Sequence, residues 1–449
     1  MIKVQTITRL LARMTPIQFL VLGYVVLIFL GSLLLRLPAA SNEGSPQQYI
    51  DAVFTTTSAV STTGLTVVDT GSYYSFFGQV VILILFQIGG LGYMTFAVLM
   101  VYTLGGKPSL TSAVTLKESL SGVTLGNMKK YLKSVFVFTA LFEGCGALIL
   151  TVYWLREFSL SQSVYLGVFH SVSAFCTCGF SVFPDSFTTY QTSGVITVVI
   201  STLSMAGGIG FIVLYDVQQA ITRKISHQQP RQLMLHTKLC ILFSTLLIMT
   251  GSVVIFAFEG QYSFSENLLT SVFQSISASS TTGFHTVDIG AFSSTSLLTI
   301  IILMFIGASP GGSGGGIKVT AFGSMVLSIR EFLRGKREVD TFNRKIPTAV
   351  VQGSFIVGLM VLLWVVLVTI VLTATEEAAF LSILFEVVSA VGTVGLSTGI
   401  TGGLTVVGKL LIIVTMLTGR VGPLALALSV VGEPKPVRVK YAEGEVYIG

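Results

Sequence analysis

Charge is scarce in this chain: only 10% of its 449 residues are Asp, Glu, Lys or Arg, while 52% are hydrophobic. That balance leaves a soluble protein of this length short of charged surface, so the chain is read as a membrane protein in contact with lipid. The mean hydropathy of +0.84 agrees. Cysteine is scarce as well, and four scattered residues exclude a disulfide framework. No soluble domain is encoded between the apolar runs, where the longest cytoplasmic segments are short and basic. No G-x-G-x-x-G follows a strand pattern, and Gly316-Ile317-Lys318 lacks the Gly-Lys-Ser/Thr of a phosphate-binding loop, so no nucleotide site is expected on this chain. Nor is a nucleic-acid partner expected.

What is present is a phrase repeated four times. S-A-x-x-T-x-G-[LF] runs from Ser58 to Leu65, Ser173 to Phe180, Ser277 to Phe284 and Ser389 to Leu396, each copy with a Phe four residues before its Ser: Phe54, Phe169, Phe273 and Phe385. Such alignment marks an internal repeat of a short helix running into a Thr-x-Gly turn. Each copy sits between two apolar runs. The first runs are Ile17 to Leu35, Tyr131 to Leu155, Leu233 to Phe258 and Ala349 to Leu372. The second are Tyr74 to Leu104, Gly194 to Val217, Ser294 to Leu327 and Leu404 to Val431. The run from Ile17, followed by Pro38-Ala39-Ala40, imitates a signal peptide but is too long for one.

Eight spans follow, with four intervening segments of 10 to 12 residues that are too short to cross and fit re-entrant pore helices. Most Lys and Arg, among them Lys3, Arg9, Arg13, Lys129, Lys130, Arg334, Lys336, Arg337 and Lys440, fall on one side, which by the positive-inside tendency is cytoplasmic and holds both termini. The other side is acidic, with Asp51, Asp69, Asp185, Glu259, Glu266, Asp288, Glu376 and Glu377. Those acids either concentrate cations near the turns or simply populate outer loops. Two spans per repeat return the chain to the same side, so all four repeats share one orientation and can surround one axis. Inverted repeats need an odd count.

A backbone turn offers carbonyl oxygens to a cation without titratable groups that would hold it too tightly. Gly64, Gly179, Gly283 and Gly395 supply the permissive dihedrals there. Small residues also mark tight helix packing, which does not explain the fourfold alignment. Thr55, His170, Gln274 and Glu386 share one pore-helix position and either brace the turns or are merely packed.

With these motifs the sequence resembles the potassium transport subunits of the Trk/Ktr/HKT superfamily, most closely the bacterial Ktr membrane subunit of the KtrB/KtrD type, over nearly the whole chain. The resemblance implies an all-α membrane protein of four M1-P-M2 repeats, eight transmembrane helices plus four re-entrant pore helices around a pseudo-fourfold pore. The repeats would span 1–105, 106–225, 226–340 and 341–431, with a cytoplasmic tail at 432–449. It implies a potassium filter at Thr62, Thr63, Gly64, Thr177, Cys178, Gly179, Thr281, Thr282, Gly283, Thr393, Val394 and Gly395, and no enzymatic activity. A Ser in place of the first filter glycine goes with sodium preference in the plant branch, and Gly64 is intact. Cys176-Thr177-Cys178 departs from the family pattern. It is either small apolar packing or a Cys-x-Cys metal site.

Two features lie beneath the filters. Gly307, Ala308, Ser309, Pro310, Gly311, Gly312, Ser313, Gly314, Gly315 and Gly316 cannot continue a helix. In the family this stretch is the intramembrane gating loop; a passive kink is the alternative. Arg420 takes the place of Gly90 and Gly208 of other repeats. It is read as a positive barrier in the pore, or as one side of an ion pair with Glu143 or Glu386. The resemblance further implies a homodimer in the bacterial plasma membrane and a cytoplasmic RCK-type ring (KtrA/KtrC type) that carries the nucleotide, ATP or ADP, with sodium as an activator. Sodium- or proton-coupled symport through Glu143 remains open on the same fold. The Gly311-Gly312-Ser313-Gly314 match to an intramembrane serine protease lacks an evident histidine base among His170, His227, His236 and His285.

Overall fold

The computed structural model describes residues 16–103, 128–226, 232–260, 263–336 and 338–422. Lys3, Arg9, Arg13, the basic loop at 105–127, His227, Arg337 and the tail at 432–449 lie outside these residues. Helices dominate. Among the described residues, three are by themselves long and apolar enough to cross a membrane: Lys130–Trp154, Leu235–Phe258 and Thr348–Thr375.

In chain order the helices are α1 (Pro16–Leu35), α2 (Tyr49–Val60), α3 (Thr70–Tyr73), α4 (Phe76–Thr103), α5 (Met128–Trp154), α6 (Leu160–Phe175), α7 (Gly194–Gly208) and α8 (Phe211–Ile225). They continue with α9 (Leu235–Phe258), α10 (Phe264–Ser279), α11 (Ser294–Ile306), α12 (Val319–Leu333), α13 (Thr348–Thr375), α14 (Phe380–Gly392) and α15 (Val406–Val421). One small hairpin, β1 (Asp340–Thr341) with β2 (Arg344–Lys345), interrupts the all-helical expectation. Its turn residues Phe342 and Asn343 both have positive φ, as a tight two-residue hairpin demands.

The packing is cyclic. The long helices α1, α5, α9 and α13 pack on the short helices α2, α6, α10 and α14 that follow them, and these short helices pack in turn on α4, α7, α11 and α15 of their own units. Between units, α4 touches α6, α7 touches α10, α11 touches α14, and α15 returns to α2. The chain therefore closes on itself with its first and last units in contact. No covalent link holds that seam. A half-buried ion pair does, with Lys409 Nζ 2.6 Å from Asp51 Oδ1.

Burial is distributed as lipid requires. Leu141, Leu148 and Val152 of α5 and Leu359, Leu363 and Ile370 of α13 are exposed, whereas Thr55 to Ser58, Ser171, Ser173, Thr270, Ser271, Ser275 and Ser389 of the short helices are buried. Apolar surface on the outside and hydroxyls in the middle reverse the pattern of a soluble protein.

One run expected as a continuous helix is broken, and another opens where a loop was expected. Gly194 to Val217 becomes α7 and α8, which meet at 98°. The break falls at Gly207-Gly208-Ile209-Gly210, where Gly210 has φ +91° and the Phe211 N–H leaves the helix to bond Gly311 O at 3.2 Å. The third second run ends at Ile306 and resumes at Val319, as its Gly/Pro content requires. The short helices carry 12 to 16 residues, slightly more than expected.

Candidate functional site

The four short helices end alike. In each, the first Thr of the Thr-x-Gly turn is left-handed: Thr62 φ 54°, Thr177 φ 48°, Thr281 φ 58°, Thr393 φ 50°. A β-branched residue rarely adopts that region, at a cost of about 1–3 kcal/mol each, so the surrounding structure must over-determine it. Local hydrogen bonds do so. The Thr N–H reaches the Ala carbonyl at 3.0 to 3.2 Å, and the next N–H, of Thr63, Cys178, Thr282 or Val394, reaches the motif Ser carbonyl at 2.8 to 2.9 Å. These bonds use carbonyls that a helix terminus leaves free.

The motif Ser side chain clamps the same turn from the other side. Ser58 and Ser389 accept the N–H of Gly64 and Gly395 at 3.0 and 3.1 Å, while Ser173 and Ser277 donate to the carbonyls of Phe180 and Phe284 at 2.8 and 2.7 Å. This clamping role was missed from sequence, although the Ser is constant in all four copies.

The four turns meet in one ring. A Cβ on Gly64 would strike the Cys178 carbonyl, one on Gly179 the Thr282 carbonyl, one on Gly283 the Val394 carbonyl, and one on Gly395 the Thr63 carbonyl. Each glycine thus abuts the residue preceding the glycine of the next unit, and the fourth returns to the first. With φ between 69° and 92° at all four, only glycine fits.

Outside the ring lies an open cavity of about 250 Å3, lined in part by the four glycines, by Thr66, Ser181, His285 and Ser397, and by Asp69 and Asp288. Burial lowers the His285 pKa below the ordinary histidine value, against the opposing pull of Asp185, Asp288 and a backbone bond to Gly283. Behind the turns, three of the four residues sharing one short-helix position bond the outgoing chain: His170 to Ser181 at 3.1 Å, Gln274 to Thr286 at 3.4 Å, and Glu386 to Ser397 at 2.8 Å. Thr55 makes no such bond to the outgoing chain among the described residues.

Inside the ring, residues 307–318 cross beneath it. Ser309 and Ser313 N–H bond Gly208 and Gly207 O at 3.0 and 3.3 Å, and Gly315 and Gly316 N–H bond Gly392 and Val391 O at 3.2 Å. Thr62 Oγ1 donates to Ser313 O at 3.0 Å. A segment of the third unit therefore touches the other three, which a kink does not do. Lys318 donates its ammonium to Gly314 O and Gly315 O on that segment.

Arg420 lies nearby and donates to Gly89 O and to Tyr24 Oη, both in the first unit. Its hydrogen bonds reach neither candidate acid: Glu143 is bonded to Gln87, and Glu386 to Ser397 and Thr401. The two thiols of the second turn face different partners, Cys176 toward Gln87 Oε1 at 3.3 Å and Cys178 toward Ala59 O at 3.9 Å. No hydrogen bond among the described residues joins Ser313 to a histidine.

The family model described as TrkH, cation transport protein, matches residues 9–440. The chain belongs to this family. It is 38% identical to the Ktr system potassium uptake protein B of Bacillus subtilis (strain 168) over 97% of each chain. It is 33% identical to the potassium/sodium uptake protein NtpJ of Enterococcus hirae over 98% of this chain and 99% of that one. Among solved structures, the potassium transporter TrkH from Vibrio parahaemolyticus has the same fold, with a TM-score of 0.69 at 20% identity, covering 92% of this chain and 85% of that one. A Ktr/Trk family member is a membrane cation transporter, in keeping with the apolar helices and lipid-suited exterior.

Proposed function

We propose that this chain is the ion-conducting subunit of a potassium uptake system, built from four M1-P-M2 repeats with eight spans and four pore helices around one axis. The repeats occupy 1–105, 106–225, 226–340 and 341–431. The observation that carries the reading is the closed ring in which each motif glycine lies against the carbonyl of the next turn. Carbonyls so gathered replace the hydration shell of a monovalent cation without binding it irreversibly. Thr62 to Gly64, Thr177 to Gly179, Thr281 to Gly283 and Thr393 to Gly395 form the filter. Relatives named for potassium and for potassium/sodium uptake support the choice of ion.

Residues 307–316 act as the gate, since their hydrogen bonds to the other three units lie across the inner mouth. A few weak N–H···O bonds over glycines make such a segment easy to displace. Arg420, bonded to a carbonyl and a phenol and to no acid among the described residues, places positive charge beside the path and limits cation flow. The membrane is the bacterial plasma membrane, with both termini cytoplasmic. On this reading, which follows the resemblance of the motifs to the Ktr membrane subunit, the chain forms a homodimer gated by a separate cytoplasmic nucleotide-binding ring of the RCK type, with sodium as an activator. The chain itself performs no enzymatic reaction.

The test is potassium uptake by cells deficient in their own transport, with wild type beside Gly64→Ser. Restored uptake with altered potassium-to-sodium preference in the variant is expected. An unchanged preference removes Gly64 from the filter. Coupled symport is the second reading, favoured by Glu143, an acid in a span whose side-chain carboxylate bonds a neutral amide. Voltage-following uptake that persists in Glu143→Gln excludes coupling by that route.

A further inference from the structure

Immediately outside the ring, the second residue after each motif glycine lines the vestibule: Thr66, Ser181, His285 and Ser397. Two of these are held in one way by two different chemistries. His170 Nδ1 lies 2.9 Å from Leu166 O, a carbonyl with no proton to give, so that nitrogen carries the hydrogen and Nε2 is left as an acceptor. Ser181 Oγ, 3.1 Å from Nε2, is therefore the donor, and the same oxygen accepts the Phe183 N–H at 3.0 Å.

Ser397 repeats this arrangement. Its Oγ donates to Glu386 Oε2 at 2.8 Å and accepts the Gly399 N–H at 3.0 Å. Thr401 also approaches Ser397 Oγ at 3.0 Å, but its single hydrogen is directed to the nearer Glu386 Oε1. A hydroxyl has one hydrogen and two lone pairs. In both serines the hydrogen points back into the protein, one lone pair is taken by the N–H two residues on, and one lone pair of a cavity-lining serine is left over.

The positions are diagonal. Ser181 belongs to the second unit and Ser397 to the fourth, and the ring closes in the order first, second, third, fourth. His170 and Glu386 are fully buried. Besides its serine, each also meets one further residue of the vestibule wall, His170 stacking on Phe183 and Glu386 accepting from Thr401. We infer that Ser181 and Ser397 form an opposed pair of oriented oxygen ligands that takes the first waters off a monovalent cation above the glycine ring, with His170 and Glu386 as positioning residues. The inference rests on the filter reading above, to which it adds an outer ligand site.

Rubidium uptake by potassium-transport-deficient cells, normalised to transporter in the membrane fraction, tests it. The Ser181→Ala/Ser397→Ala double variant is expected to raise KM about fivefold, the loss of a modest polar contact at each side, with the maximal rate little changed. Ser181→Thr/Ser397→Thr keeps both hydroxyls and restores the wild-type KM. His170→Phe raises KM in the wild-type background and adds nothing on top of Ser181→Ala, a coupling that a purely structural role for His170 does not produce. If the double variant fails to reach the membrane, the two single alanine variants carry the test, each with KM raised about twofold. An unchanged KM in the alanine variants, or threonine variants as impaired as alanine ones, overturns the inference. Gly64→Ser in the same cells separates the two ideas: altered cation preference there beside an unchanged KM in the alanine variants removes the serine pair and leaves the filter. No change in either removes both.

Discussion

Alanine at Gly283 places one methyl group where the ring has no room. The glycine has φ +87°, and an L residue in the left-handed region costs about 1–2 kcal/mol. The new Cβ would lie 2.9 Å from the Val394 carbonyl carbon and 3.1 Å from Gly395 Cα, with the Val394 oxygen closer than either. Carbon atoms rest comfortably at about 3.5–4.0 Å, so the third and fourth turns must part by roughly half an ångström or more. Every opposing atom is backbone. No rotamer change relieves the contact, and overpacking adds about 1–3 kcal/mol, for a total on the order of 2–5 kcal/mol. Strain of that size either lowers the amount of folded protein or opens the ring and, on the proposed filter reading, spoils its fit to potassium. Potassium uptake against sodium competition, scaled to transporter in the membrane fraction, separates the two outcomes. Gly353→Ala is the control, because a Cβ there meets nothing within 4 Å. Gly283→Ala is expected to lose about tenfold or more of its uptake per molecule or of its potassium preference. If it behaves as Gly353→Ala does, the close-packed ring is not what selects the ion.

Ser58→Ala and Ser389→Ala strip the acceptor from the Gly64 and Gly395 N–H groups and should each cost about 1 kcal/mol of stability, read as a lower melting temperature of the detergent-purified protein, with threonine at either site milder than alanine. Gly314→Ala would bring a Cβ to 2.6 Å from Ala308 Cβ and 3.1 Å from Thr281 Cβ. It should unseat the crossing segment and, on the reading of that segment as the gate, raise potassium uptake per molecule above wild type. Lys409→Ala breaks the seam between the first and fourth units and should destabilise by on the order of 2 kcal/mol, between the exposed and buried extremes for an ion pair. The exchanged pair Lys409→Asp with Asp51→Lys should recover part of that in thermal unfolding.

Several elements were legible because their causes are local. The boundaries of α1, α5, α9 and α13 fall within a few residues of the apolar runs, since crossing lipid needs a continuous apolar stretch and little else. The Thr-x-Gly turns were legible as turns because their hydrogen bonds close within seven residues, Ser58 to Gly64 and Ser389 to Gly395 over six, Ser173 to Phe180 and Ser277 to Phe284 over seven. The left-handed Thr before each glycine was not. Threonine disfavours that conformation by itself, and only the bonds to the preceding Ala and Ser carbonyls and the packed neighbours hold it there. The 98° bend between α7 and α8 was likewise hidden. Gly207 to Gly210 permit a bend, but the crossing segment of another unit, bonded at Phe211, accompanies it.

Composition and repetition alone determined that this chain lives in lipid, that its apolar runs and short helices recur in four units, and that a glycine-centred bend closes each short helix. Those properties follow from hydropathy and from dihedral limits acting over a few residues. Only the tertiary structure decided that the bends form one closed ring, that Arg420 answers to Gly89 and Tyr24 in place of an acid, and that residues 307–318 reach three other units. Such contacts join residues hundreds of positions apart, such as Thr62 and Ser313 or Lys409 and Asp51, and no local preference of the chain specifies which distant backbone a side chain will meet.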